Sequence, residues 1–130
     1  MTRARWNSAR GFTLIEIMIV MTIVGILMTI AEPSYRAQIT KARETSLRKS
    51  LFVMRDVIDQ YAADQARYPD SLQVLVDESY LRSLPIDPFT HSADTWIEVQ
   101  ETSGDGDGGV FDVHSGSDLV ALDGTAYNAW

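Results

Sequence analysis

One acidic residue, Glu16, lies inside a long apolar run that extends from Phe12 to Ala31. The run has about twenty residues, and a helix of that length can cross a hydrocarbon core of roughly 30 Å. A carboxylate within such a segment costs on the order of 2.5–3.5 kcal/mol on insertion scales. A buried charge of this kind is tolerable when it is paired, so Glu16 is predicted to have a specific partner.

Oxygen donors are the second chemical feature, and they lie in the tail of the chain. Asp118 and Asp123 stand there among serine, glycine and threonine residues. Calcium takes six to eight oxygen ligands, and carboxylates plus main-chain carbonyls from an irregular loop suit it. Cysteine is absent from the sequence, which excludes a thiolate metal site and a disulfide framework.

Evidence for a catalytic centre is weak. His91 and His114 are isolated from any nucleophile-like motif. The sequence has no Gly-x-Ser-x-Gly pattern, phosphate-binding loop or His-Glu-x-x-His pattern. The rival class is an enzyme anchored by one helix, which would need a pocket with convergent polar groups and perturbed acids. We expect the protein not to be an enzyme.

A short basic leader precedes the apolar run. It contains Arg3, Arg5 and Arg10 and no acid, so its removal would lower the formal net charge from −7 to −10. Such an acidic chain is a poor partner for nucleic acid, because phosphate contacts need clustered lysine and arginine. Positive charge beside the apolar run predicts a cytoplasmic amino terminus and an exported remainder.

The sequence Gly-Phe-Thr-Leu-Ile-Glu, from Gly11 to Glu16 behind a basic leader, resembles the N-terminal signature of type IV pilins and type II secretion pseudopilins. The resemblance implies that a prepilin peptidase cuts between Gly11 and Phe12 and methylates the new amino terminus. It also implies that Glu16 pairs with the freed amine of Phe12 on an adjacent subunit. Two plainer interpretations are an ordinary signal peptide and a simple membrane anchor. The stretch 29–32 is a poor cleavage site for a signal peptide.

Helical periodicity continues beyond the apolar run. Pro33 is predicted to interrupt or kink the helix, because proline removes a hydrogen bond and clashes with the preceding turn. Apolar residues then recur at alternating steps of four and three, which predicts one buried stripe on an amphipathic helix. The stripe consists of Leu47, Leu51, Met54, Ile58 and Tyr61. Basic residues lie mostly off the stripe, at Lys41, Arg43, Arg48, Lys49 and Arg55. This basic stretch is either a solvated helix face or a surface that packs against acidic neighbouring subunits.

Proline marks the boundaries of the next elements. Pro69 ends the long helix, and Asp70 or Ser71 can cap a short helix that follows through Leu72, Leu75 and Val76. Two prolines in the segment 80–89 exclude a regular central strand there and predict a structured connector. Arg-Tyr-Pro followed by Tyr-Leu-x-x-Leu-Pro-x-Asp-Pro-Phe resembles the corresponding segment of the G-type major pseudopilins.

Two short segments, 95–100 and 109–113, are rich in aromatic and β-branched residues and predict an antiparallel hairpin. The turn between them is rich in glycine. Asp105 and Asp107 in this turn suggest an EF-hand loop, but the glutamate required at the twelfth position is missing. A flexible, exposed tip is therefore preferred to a metal site.

The tail resembles the C-terminal calcium loop of the G-type pseudopilins. The resemblance implies Asp118, Asp123 and Thr125 as ligands, together with neighbouring carbonyls. A bound ion would then replace the disulfide with which many type IV pilins close this loop.

Together these features predict an α+β fold of the type IV pilin kind, in which a long N-terminal helix packs on a small C-terminal antiparallel sheet. Residues 1–11 are predicted to be a cleaved leader, and residues 12–32 a transmembrane and assembly helix. Residues 33–66 are the amphipathic second half of the helix, and residues 67–130 a globular head.

The function implied is that of a structural subunit that assembles with itself into a helical pseudopilus filament. That filament drives protein export across the outer membrane. Further expected partners are the prepilin peptidase, minor pseudopilins and the inner-membrane assembly platform. Before assembly the protein is expected in the bacterial inner membrane with a periplasmic head, and afterwards in a periplasmic or extracellular filament. The alternative is a type IV pilin subunit for adhesion, motility or DNA uptake.

Overall fold

A computed structural model of the protein describes residues 11–101 and 108–130. The chain divides into two compact units, of which one ends at Arg36 and the other is Ala37–Trp130. The acids Asp105 and Asp107, and the leader up to Arg10, lie outside the described residues.

Helix α1 (Leu14–Gln65) contains Pro33 and is helical on both sides of it. The predicted interruption at Pro33 is therefore not present, while a kink there stays a prediction. Proline removes only the backbone donor that would reach the carbonyl of Thr29, and the hydrogen bonds of the neighbouring turns can still form. The 52 residues of α1 belong to one continuous helix.

The second half of α1 supplies one side of the core of the unit Ala37–Trp130. All five apolar residues predicted to form the buried stripe are buried, which confirms the period-3.6 pattern. Val57 joins them. The remaining core residues lie later in the chain: Leu72, Leu75, Trp96, Val110, Val113, Ala121 and Tyr127.

Helix α2 (Leu72–Asp77) follows Ser71, which has extended backbone geometry and occupies the N-cap position. The hydroxyl of Ser71 makes no capping hydrogen bond. Instead, the carboxylate of Glu98 accepts a hydrogen bond of 2.8 Å from the backbone N–H of Leu72. The cap therefore comes from a strand 26 residues further along the chain.

Strands β1 (Ile97–Gln100) and β2 (Val110–His114) form the predicted antiparallel pair, with Ile97 opposite His114. The register is irregular between Val99 and Gln100. Strand β2 buries two valines, at its first and fourth residues. This odd spacing departs from the two-residue period of a regular strand, because the register slips by one residue between Asp112 and Val110. A long helix and a small antiparallel sheet confirm the predicted α+β class.

The connectors around the sheet are held by close backbone packing. A Cβ atom added at Gly116 would lie 1.9 Å from the carbonyl oxygen of Thr95, so only glycine fits there. After Gly116 the tail continues to a short 3₁₀ helix (Tyr127–Ala129). The ring of Tyr127 stacks on Phe89 of the connector at a centroid distance of 3.9 Å.

Candidate functional site

The amino-terminal end of α1 is shaped by Thr13. Its hydroxyl oxygen accepts a hydrogen bond of 3.2 Å from the backbone N–H of Glu16, and its carbonyl accepts one from Ile17. Thr13 is thus the N-cap, and Glu16 lies in the first turn, where the helix dipole favours a negative charge. The sequence prediction did not single out Thr13, although Thr-x-x-Glu is the pattern of a capping box. Gly11 and Phe12 precede this cap and are exposed, Phe12 by 78%.

The segment after the cap has exposed apolar side chains on every face. Fourteen large ones, from Phe12 to Ile30, are each more than 40% exposed. Two threonines within it bond to their own helix: Thr22 donates to the carbonyl of Met18 at 2.8 Å, and Thr29 to that of Ile26 at 2.6 Å. Because the hydroxyls are satisfied internally, the segment suits apolar surroundings. By length and composition, α1 is able to cross a membrane.

Charged side chains reappear where the apolar segment ends. Arg36 donates to the carboxylate of Glu32 at 2.6 Å, one helical turn away. Glu16 is the one ionisable residue between Phe12 and Ala31.

The tail carries a hydrogen-bond chain that starts at Asp123. One oxygen of this carboxylate accepts from both the backbone N–H and the hydroxyl of Thr125, at 2.9 and 2.6 Å. The indole N–H of Trp130 donates to the same hydroxyl at 2.7 Å. The hydroxyl and N–H of Thr125, together with the charge of Arg48, hold the pKa of Asp123 below its ordinary value.

Three charged residues on one flank of α1 attach the tail to the helix. Arg48 stacks on the ring of Trp130 at 4.1 Å and has a guanidinium nitrogen 3.8 Å from the second oxygen of Asp123. Glu44 accepts from the backbone N–H of Leu122 at 2.8 Å and from the hydroxyl of Tyr127 at 2.9 Å. Burial, followed by the hydrogen bond to Glu44 and the charge of that carboxylate, raises the pKa of Tyr127 to about 12.

Arg55 is the third of these residues. It donates to the carboxylate of Asp112 at 2.6 Å and to the main-chain oxygens of Val113 and Trp130 at 2.9 and 2.8 Å. His114 also contacts the main-chain oxygen of Trp130. From the sequence, Arg48 and Arg55 were predicted only as members of a general basic stretch. The spacing of Glu44, Arg48 and Arg55 could have indicated their shared role. At about 100° per residue, all three lie on one edge of the buried stripe.

The calcium site predicted from the sequence stays a prediction. Asp118 is exposed and lies outside the hydrogen-bond chain, whereas Asp123 is engaged by Thr125 and Arg48. In the described parts of the chain, no group of three or more acidic or histidine side chains is placed to hold a metal. Of the predicted ligands, Asp123 would have to exchange its contact with Arg48 for an ion.

Comparison with known proteins gives two kinds of match. Residues 6–31 match the family described as the prokaryotic N-terminal methylation motif. The chain is 33% identical to the type II secretion system core protein G of Klebsiella michiganensis over 101 residues, which cover 65% of this chain and 71% of that relative. It is 30% identical to the protein of the same name from Pseudomonas aeruginosa over 121 residues, which cover 81% and 80%.

A type IV pilin also matches, over a shorter part. The type IV major alpha-pilin of Moraxella bovis is 40% identical over 73 residues, which cover 56% of this chain and 43% of that relative. No solved structure matches the chain significantly. The capped Glu16, the exposed apolar helix and the head built on its second half agree with the longer matches, and the chain belongs to the family of type II secretion system core protein G.

Proposed function

We propose that the chain is a structural subunit of a helical pseudopilus, and that its work in protein export is mechanical rather than catalytic. One observation carries the proposal: the first half of α1 exposes large apolar side chains on all its faces, and this segment lies within the residues that match the methylation motif. Apolar surface of this extent needs to be covered by lipid or by copies of itself. The secretion-system proteins that match most of the chain support coverage by copies of the chain as the functional state.

Assembly of identical copies in one direction is a heterologous contact. Each subunit uses one surface towards the copy before it and another towards the copy after it, so the contacts repeat without closing. The membrane would hold the subunit before assembly, with the head in the periplasm. The filament core would replace the lipid afterwards. Minor pseudopilins and an inner-membrane assembly platform are the further partners that this role requires.

A prepilin peptidase would release the mature chain at Gly11. Gly11 is exposed, and a Cβ atom built on it meets no atom within 4 Å, which leaves the bond to Phe12 open to an enzyme. Intact-mass measurement of the purified protein should show the loss of residues 1–11 and a gain of one methyl group. A bulky replacement at Gly11 should accumulate the uncut chain. A mature chain that starts at Met1 or beyond Ala31 would exclude this processing.

Glu16 would pair with the freed amine of Phe12 on an adjacent subunit. No lysine, arginine or histidine lies between Phe12 and Ala31 to pair with it, and an unpaired charge in such surroundings is penalised. We expect Glu16→Ala to leave cleavage and membrane insertion intact and to reduce filament number strongly. Filaments counted by electron microscopy, with cleavage followed by mass, separate the two effects.

The control for that experiment is Glu32→Ala, which removes an acid of the same helix just beyond the apolar segment. Its partner Arg36 belongs to the same chain, and the pair is largely exposed, so its loss should change assembly little. Normal filament numbers in Glu16→Ala would disprove the pairing.

A type IV pilin subunit, used for adhesion, motility or DNA uptake, is the second candidate. The Moraxella bovis pilin supports it through the 73 matched residues. Deletion of the gene separates the two candidates. Loss of a secreted protein from the medium favours the pseudopilus, and loss of surface adhesion or twitching with normal secretion favours the pilus.

Calcium is proposed as a structural ion of the tail. Asp118, Asp123 and Thr125 would hold it together with neighbouring main-chain carbonyls, and the ion would fix the segment that Arg48 and Glu44 attach to α1. The hard carboxylate and hydroxyl oxygens of these residues are the donor type that calcium prefers, which supports the proposal.

A further inference from the structure

The face of α1 opposite the core carries five exposed residues, which we call the outer stripe: Lys41, Lys49, Phe52, Asp56 and Asp59. They follow one another at steps of eight, three, four and three residues. At about 100° per residue, these steps place all five within one face of the helix. The buried stripe lies on the other side. Phe52, in the middle of the outer stripe, is 71% exposed.

Charge is segregated along the outer stripe. Both lysines precede Phe52 and both aspartates follow it. In the ranges 11–101 and 108–130, none of these four charged residues has an ion pair. Arg48 and Arg55, which flank the stripe, are paired with Asp123 and Asp112. The stripe charges therefore contribute little to the stability of their own head and remain available to a partner.

We propose that the partner is a second copy of this chain, parallel to the first and shifted along the helix axis. The inference rests on the proposed filament and names the surface that sets its stagger. A shift of seven residues, about 10.5 Å, brings Lys49 of one copy level with Asp56 of the next. At this shift the same long side chain can also reach Asp59, which lies about 4.5 Å further along the axis.

The same charges disfavour the unshifted arrangement. Parallel helices in register would place lysine beside lysine and aspartate beside aspartate, and such like-charge contacts are repelled. A shifted contact pairs opposite charges and covers the exposed ring of Phe52 as well. Each copy then offers its lysine end to one neighbour and its aspartate end to another. This is the geometry of a contact that repeats without closing.

Charge reversal in the full-length chain tests the pairing. Lys49→Glu and Asp56→Lys should each lower filament yield several-fold, and the double variant should restore it, because every contact between copies is then reversed together. Arg82→Glu and Glu78→Lys are matched controls at exposed positions off the stripe, and they should assemble normally. Single reversals that assemble like the unaltered chain would overturn the proposal, as would a double variant no better than the singles. If the unaltered chain forms no filaments, the proposed function itself has failed.

Cysteine cross-linking tests the direction of the contact against a background without cysteine. Val53→Cys with Gln60→Cys places two thiols seven residues apart beside Lys49 and Asp56, and leaves all five stripe residues in place. Within one helix they are about 10.5 Å apart, which is too far for a disulfide. Oxidised filaments should therefore give a ladder of dimers, trimers and longer species. A product that stops at the dimer would show an antiparallel, closed pair, and filaments without cross-links would show a different surface. Either result overturns the proposal.

Discussion

Asp87 is fully buried and joins two segments that are far apart in the sequence. One of its carboxylate oxygens accepts from the backbone N–H groups of Phe89 and Thr90, at 2.8 and 3.3 Å. The other accepts from the hydroxyl of Ser115 at 2.5 Å, and Ser115 is itself fully buried. A single side chain thus closes the turn after Pro85 and fixes that turn to the end of strand β2.

Replacement of Asp87 should destabilise the head. In Asp87→Ala three donors lose their acceptor in a buried place, so we expect a loss on the order of 3 kcal/mol in the free energy of unfolding. Asp87→Asn keeps one carbonyl oxygen for the two N–H groups and should lose clearly less. Urea denaturation of a soluble fragment beginning at Ala37 measures both. Asp77→Asn, at an exposed acid, is the control, and equal midpoints for Asp87→Ala and this control would refute the role of Asp87.

Ala66 shows how helix α1 ends. It is the residue directly after Gln65 and has a φ of 54°, in the left-handed region that favours glycine. Glycine is the usual residue at this position, because it lacks the Cβ atom that makes the left-handed conformation costly.

Ala66→Gly should stabilise the head by about 1 kcal/mol, since it removes that cost. The matched control is Ala63→Gly, which makes the same substitution in the last turn of the helix. There glycine should destabilise by about 1 kcal/mol, because it weakens a helical position. Thermal unfolding of the two variants should thus shift in opposite directions. A fall in melting temperature for Ala66→Gly would contradict the explanation.

Attachment of the tail to α1 should depend on pH through Tyr127. The folded protein raises the pKa of this hydroxyl to about 12, whereas an unfolded tyrosine titrates near 10. The folded state holds the proton more tightly, so this contribution to stability is complete below about pH 10 and is lost as the pH rises towards 12. Melting temperatures measured across this window should fall, and Tyr127→Phe should flatten the fall. Tyr68→Phe is the matched control, and it should keep the slope of the unaltered protein. An unchanged slope in Tyr127→Phe would rule out this residue as the cause.

Periodicity predicted the elements of this fold well, and long-range contacts account for what it missed. The stripe of α1, the short helix α2 and the hairpin follow from spacing within a few residues. The anchors of the tail do not, because Arg55 and Asp112 are 57 residues apart and Glu44 and Tyr127 are 83 apart. Asp87, between two prolines, has the local sequence of an exposed turn, and only its contact with Ser115 explains its burial. Pro33 is the opposite case, because proline predicted an interruption there and the helix continues through it.

At the scale of the whole molecule, the head has limited means to order its tail. No cysteine is available, and the tail is rich in small and polar residues. The described contacts show one means, the charged flank of α1 that binds Asp112, Asp123 and Tyr127. The proposed calcium ion would be a second.

Thermal unfolding separates these two means. If calcium binds only the folded head, it adds RT ln(1 + [L]/Kd), which is about 2.7 kcal/mol at a hundred times its dissociation constant. The fragment beginning at Ala37 should then melt earlier in chelator and recover with calcium. Magnesium should substitute poorly, because it demands tighter octahedral geometry. The increment should vanish in Asp118→Ala and in Asp123→Ala and persist in Asp77→Ala. Identical melting with and without chelator would mean that the contacts of Arg48, Trp130 and Thr125 order the tail without an ion.

The charged flank of α1 also determines how the subunit bears load. Glu44, Arg48 and Arg55 span eleven residues of the helix, about 16 Å, and all three hold the same tail. Thrust along the helix axis loads these attachments side by side, so they must fail together. A force that lifts the tail outward from Trp130 meets them one after another, and each fails at a smaller force. The head is thus strong along the direction in which a filament pushes and weak to peeling, and any factor that dismantles it should begin at Trp130.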